Sequence, residues 1–305
     1  MKRAVLALSL AALALGACRT GDVAGNLARA GLGSAGAGAA SDVIAAGVTG
    51  FVDTAEQINT QFSPEQEYYL GRAVAANVIA QYGLDPDEGR QAYVRRVGAT
   101  LVTLAPRIAA THGGYHFAVL ASPSVNGLSG PGGFVFVTRG ALDACRSEDQ
   151  VAGLLAHEIA HVSLRHGESV IRTTENFRAG AGALGRVVGA AAGSGQFESK
   201  MYDLFSSTAA GFARDLADRG YGPELEYKAD TEATYILYFA GYDAGGLAAF
   251  LRGLPSKEVP AWTAHPGNAD RAERLAAQVS TYGGRSDAAG ADARHARFAA
   301  ATGAK

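Results

Sequence analysis

The sequence predicts an α+β fold, mainly helical, with a small β-sheet packed beside one helix. Two observations carry this. Four stretches, over 64–82, 86–104, 148–166 and 223–240, repeat apolar residues at helical period between start and stop signals. Only Tyr115–Leu120 and Phe134–Thr138 read as strands. The chain has 305 residues, 48% of them hydrophobic and 18% charged, enough for one large or two small cores. A net charge of −2 without a clustered basic stripe excludes a nucleic-acid surface.

The chain opens with Lys2 and Arg3, an apolar run from Ala4 to Leu15, and then Leu15-Gly16-Ala17-Cys18. The run is too short to span a bilayer and reads as a signal peptide over residues 1–17. Small residues before a cysteine look like a bacterial lipobox, which would make Cys18 the lipid-modified first residue; the alternative is ordinary cleavage after Ala17. At about 0.8 kcal/mol per buried methylene, several acyl chains on Cys18 would anchor the chain to a membrane. Cys145 is the other cysteine, and with Cys18 lipidated it has no disulfide partner in the chain. Residues 18–60 are rich in Gly and Ala and fit either a tether or a frayed Ala-rich helix. A folded domain is expected over 61–285 and a tail over 286–305.

The domain starts at Ser63-Pro64-Glu65-Gln66, where a capping serine, a proline at the first helical position and a glutamine two residues on agree. Leu70, Val74, Val78 and Tyr82 form its stripe, and Gly83 stops it. Asp85-Pro86-Asp87-Glu88 repeats the pattern, and that helix ends before Pro106. The second strand follows a loop of Gly and Pro, ending Pro131-Gly132-Gly133. It is either a core hairpin strand or an exposed edge able to pair an extended peptide. The Ala/Gly stretch over 178–219 reads as a flap or a loose hairpin, with a plain loop as the alternative.

Chemistry concentrates in Leu154-Leu155-Ala156-His157-Glu158-Ile159-Ala160-His161. Ser147 and Gln150 make a capping box and Gly167 suits the stop, so the segment is helical and its two histidines lie one turn apart. Both imidazoles can then reach one metal ion, and zinc is the ion this spacing suits. Val151, Leu155, Ile159 and Val162 bury the opposite face. Pro223 opens a later helix on which Glu226 and Asp230 are also one turn apart; one carboxylate can ligate while the other holds a histidine.

From Ser63 to Leu275 these ordered motifs resemble the zinc metallopeptidases that include the CAAX prenyl proteases, HtpX, the mitochondrial OMA-type protease and periplasmic lipoproteins of the BepA and LoiP type. The resemblance implies a zincin-like domain holding one zinc ion per chain on His157, His161 and Glu226. Glu158 would be the catalytic carboxylate and Asp230 the partner of His157. It implies a substrate-pairing edge strand at Asn126 and at Gly133, Phe134, Val135 and Phe136. His265-Pro266 with Arg271 matches a late element that lies near the metal and meets the substrate carbonyl or plugs the zinc.

Two features depart from the family. Gly220-Tyr221-Gly222-Pro223 stands where a Ser-Arg pair is common, and about thirty residues follow Leu275, too few for the helical repeats of some members. The implied activity is hydrolysis of peptide bonds in misfolded or unassembled envelope proteins, on the periplasmic side of an outer membrane. Its partners would be protein substrates, the membrane and the outer-membrane assembly machinery. The rival expectation is a non-proteolytic lipoprotein chaperone with a structural or self-plugged zinc.

Overall fold

The computed structural model describes residues 62–173, 207–216, 220–254, 268–282 and 288–303. The signal segment, Cys18, the tether, His265 and most of the 178–219 stretch lie outside them. Within that stretch, residues 207–216 are helical where a flap or hairpin is expected. No described helix is long and apolar enough to cross a membrane.

The chain divides into two compact units, residues 1–83 with 168–213, and 84–167 with 214–305. In the first, α1 (Pro64–Tyr82) is capped as its sequence predicts: Ser63 accepts the Gln66 N–H and Gln66 answers to the Ser63 N–H. The Phe62 N–H donates to the Glu168 carboxylate at 2.7 Å, tying the start of the described chain to a residue 106 positions on.

The second unit carries the site. Its α2 (Glu88–Leu104) starts two residues later than Asp85-Pro86 suggests. Asp87 caps it, because Asp85 is drawn into the sheet region: its own N–H donates to the Val119 carbonyl and its side chain accepts from Asp87. There follow β1 (His116–Leu120), β2 (Gly127–Gly130), a 3-10 turn at Pro131–Gly133, β3 (Phe134–Thr138) and α3 (Arg139–Ala144). Then come α4 (Glu148–Ser163), α5 (His166–Thr173), of which only His166 and Gly167 belong to this unit, α6 (Pro223–Phe239), α7 (Gly246–Gly253), α8 (Asn268–Tyr282) and α9 (Ala288–Thr302).

The sheet has the order β1-β3-β2, with β1 and β3 parallel and β2 antiparallel to β3. This corrects the edge-strand expectation. Phe134, Val135 and Phe136 lie on the central strand, whose backbone is paired on both sides, and Gly133 precedes it against the Gly114 carbonyl. The edge beside the histidine helix is β2, a segment that reads as loop. At β1 the outer edge is closed by Gln91, whose amide bonds both the N–H and the carbonyl of Val119.

At the centre of the unit stands α4, buried along its whole length from Val151 to Val162. The sequence suggests one buried face, but here the sheet covers one side and α6 and α7 the other, so even His157, Glu158 and His161 are enclosed. A side chain at Gly153 would collide with the Leu247 backbone, which lets α7 cross α4 closely. Ser147 caps α4 as predicted, but Gln150 accepts from the Arg146 N–H instead of closing the box. The helix stops at Ser163, because Arg165 takes the left-handed conformation (φ 56°) that Gly167 is expected to supply. Gly167 serves close packing instead: a Cβ there would lie 3.1 Å from the Pro131 ring. Residues 286–305, expected as a tail, carry α9, whose Phe298 joins the core.

Candidate metal centre

Helices α4 and α6 bring three donors to one point. His157 Nε2 lies 3.1 Å from Glu226 Oε2 and 3.1 Å from His161 Nε2, and His161 Nε2 lies 3.6 Å from Glu226 Oε1. Tetrahedral zinc with bonds of about 2.0–2.1 Å sets its donor atoms about 3.3 Å apart, so the spacing fits the ion. All three residues are buried. Two imidazole nitrogens and a carboxylate facing one another repel through their lone pairs until a cation or a proton sits between them, so the chemistry of the set fits zinc as well as its geometry does.

The tautomer of His157 is fixed from behind. Its Nδ1 lies 3.1 Å from Asp230 Oδ1, so Nδ1–H donates to the carboxylate and Nε2 presents a lone pair to the donor set. Burial pulls the His157 pKa down, but the hydrogen bonds to Asp230 and Glu226 outweigh it and raise it to about 9. A proton and a metal ion compete for that nitrogen. Burial likewise pushes Asp230 up, yet the hydrogen bonds from Arg271 and His157 win and hold it at about 2.

Arg271 departs from its expected place at the substrate carbonyl. It is fully buried, and its Nε and Nη2 grip Asp230 at 2.9 and 2.6 Å, with Nη2 3.7 Å from Glu226 Oε2. Those donors are committed to a carboxylate, so Arg271 acts on the ligand scaffold.

Glu158 sits against β2. Ser129 Oγ donates to its Oε2 at 2.7 Å, while a Cβ on Gly127 would come within 2.5 Å of its Oε1. Gly127 and Ser129 are two apart on the strand and so face the same side. Asn126, just before β2, is buried and spends its backbone on Thr138, donating to Oγ1 at 3.0 Å and accepting from its N–H at 3.0 Å.

Sequence reasoning missed three residues here. Tyr221 lays its ring on His161 (centroids 4.1 Å apart, planes 18° apart) and donates its hydroxyl to the Ser129 carbonyl at 2.5 Å. Burial raises the phenol pKa, so it stays a donor. The left-handed Gly220 and Gly222 on either side of it were the available signal of a shaped turn. His166 places its Nδ1 2.9 Å from His161 Nδ1, and burial lowers its pKa to about 4. Ser129 had no signal, being a serine between glycines in an apparent loop.

Comparison with known proteins agrees with this geometry. The profile described as Peptidase family M48 matches residues 88–279, which include every residue of the centre. Mitochondrial metalloendopeptidase OMA1 of Schizosaccharomyces pombe (strain 972) is 45% identical over 56 residues, covering 18% of this chain and 17% of that protein. The likeness therefore spans about a sixth of that relative's length. With the profile matched over more than half of the chain and the donor set assembled, the chain belongs to Peptidase family M48, the zinc metallopeptidases.

Proposed function

We propose that the chain is a zinc-dependent endopeptidase, lipid-anchored on the periplasmic side of an outer membrane, that cleaves misfolded or unassembled envelope proteins. The observation that carries the catalytic part is the convergence of His157, His161 and Glu226 beside Glu158 and the sheet edge β2. The lipobox at Cys18 supports the anchor. An anchored envelope protease would meet the outer-membrane assembly machinery as its partner.

His157, His161 and Glu226 would hold the zinc, which when bound supplies Lewis acidity that acidifies water and polarises a carbonyl. Glu158 accepts the proton of the attacking water and returns it to the leaving nitrogen. Ser129 keeps the Glu158 carboxylate aimed, and Asp230 with Arg271 keeps His157 in its ligating tautomer. An extended substrate pairs along β2, where its backbone N–H groups compete with Tyr221 for the Ser129 carbonyl.

The test is Glu158→Gln assayed on an unfolded protein. Loss of one general acid–base group predicts a fall of roughly a hundred- to ten-thousandfold in turnover. Zinc content should stay at one ion per chain in that variant and vanish in His161→Ala. Undiminished cleavage by Glu158→Gln sinks the reading.

A further inference from the structure

We propose that His166 is a positioning residue for the metal: its Nδ1 accepts the Nδ1–H of His161 and so turns His161 Nε2 toward the ion. The inference rests on the zinc reading of His157, His161 and Glu226.

Two ring nitrogens 2.9 Å apart share one hydrogen, and the question is which ring carries it. His161 Nε2 points into the donor set, 3.1 Å from His157 Nε2 and 3.6 Å from Glu226 Oε1, so its lone pair is wanted there. A neutral imidazole that offers Nε2 must hold its hydrogen on Nδ1, and His166 Nδ1 is therefore the acceptor. The two metal-facing histidines thus have different supports, a carboxylate behind His157 and a neutral imidazole behind His161.

The fold is shaped to deliver that imidazole. The left-handed turn at Arg165 ends α4 and brings the chain back on itself, so that a residue only five positions on meets His161. Gly167, packed against the Pro131 ring, holds the next residue close, and His166 itself is buried. Tyr221 stacks on the His161 ring and fixes its plane. Rotation within that plane is what a hydrogen bond at Nδ1 fixes, and His166 makes it.

The experiment compares metal binding by the full chain and by His166→Asn and His166→Phe. Asparagine puts a carbonyl oxygen near the place of Nδ1, whereas phenylalanine keeps the ring and removes the acceptor. Zinc affinity by chelator competition should fall roughly ten- to a hundredfold in His166→Phe and stay within about threefold in His166→Asn. The visible spectrum of bound cobalt(II) should change in the first and not in the second. If His166→Phe does not fold, His166→Gln, whose oxygen reaches the Nε2 position instead, should show the same loss. Parent-like zinc affinity and cobalt spectrum in His166→Phe, or equal losses in both variants, overturns the proposal. A parent chain that binds neither metal sinks the zinc reading itself, which keeps the two failures distinct.

Discussion

Asp230 lies between a guanidinium and an imidazole, and its charge serves both. Arg271 is fully buried and finds its nearest compensation in this carboxylate, which it grips through two nitrogens, while His157 donates to the same group. Replacing Asp230 with Asn removes the charge but hardly the volume, and leaves a cation in the interior. Breaking a buried pair from one side costs about 3–5 kcal/mol, so urea unfolding of Asp230→Asn should show a loss of that size. A loss under about 1 kcal/mol would mean that Arg271 finds other compensation. The pairing of Asp230 with a histidine was legible, since Glu226 and Asp230 share one helix face. The partner of Arg271 was not, because 41 residues separate them and spacing alone does not say on which side of the ligands an arginine will sit. Cys145 gives a second test at this scale. Burial raises its thiol pKa, so the thiolate that reacts stays scarce as pH rises. Alkylation of the folded protein should remain slow up to about pH 9, above the free-thiol pKa, and become fast on unfolding.

The strand β2 explains both what the sequence revealed and what it hid. Gly127-Leu128-Ser129-Gly130 has two glycines in four residues, and glycine is depleted in strands, so local preference points to a loop. The segment becomes a strand because β3 pairs it, with Gly127 opposite Val137 and Ser129 opposite Val135. That pairing is a contact between segments, which no local pattern contains. Strand β3 was legible as a run of Phe and Val, but an apolar run does not distinguish a central strand from an edge. The glycine at 127 has its reason in Glu158, since a Cβ there would meet that carboxylate in its present position. Gly127→Ala should push Glu158 aside while leaving the fold intact, and a misplacement of about 1 Å at such a group costs roughly a hundredfold in kcat. Peptidase assays with zinc content measured in parallel check this, and full activity would mean that Glu158 has room to move. Tyr221→Phe frees the Ser129 carbonyl for substrate and should lower KM for extended peptides. A rise in KM would show that the tyrosine instead supports β2 for binding.

Across the whole second unit, α4 is an axle held at several points, and the sequence disclosed only some of the bearings. Its apolar stripe foretold packing on one side, but α7 approaches through Gly153 and Gly246, and glycines carry no periodic signal. The last bearing is α9, whose Ala-rich sequence reads as a tail because few of its residues are large and apolar. Phe298 is the exception and enters the core, while Arg297 binds Glu148 and Arg294 lies 3.3 Å from Asp149, both acids in the first turn of α4. The helix that carries His157 and His161 is thus held at its N-terminal end by the end of the described chain. From Glu148 to His157 is nine residues, about 14 Å along the helix, so this clamp supports the metal helix without touching the donors. Removing the Phe298 side chain leaves a cavity in the core, and Phe298→Ala should lower the free energy of unfolding by about 3 kcal/mol. Zinc affinity of the folded protein should be unchanged, because the ligands and Asp230 stand on α4 and α6 and are braced there by Arg271 and His166. Thermal unfolding and chelator competition on the same preparation separate the two effects. A large loss of zinc affinity in a variant that still unfolds cooperatively would show that the position of α4 is set by α9 and not by the contacts around the metal.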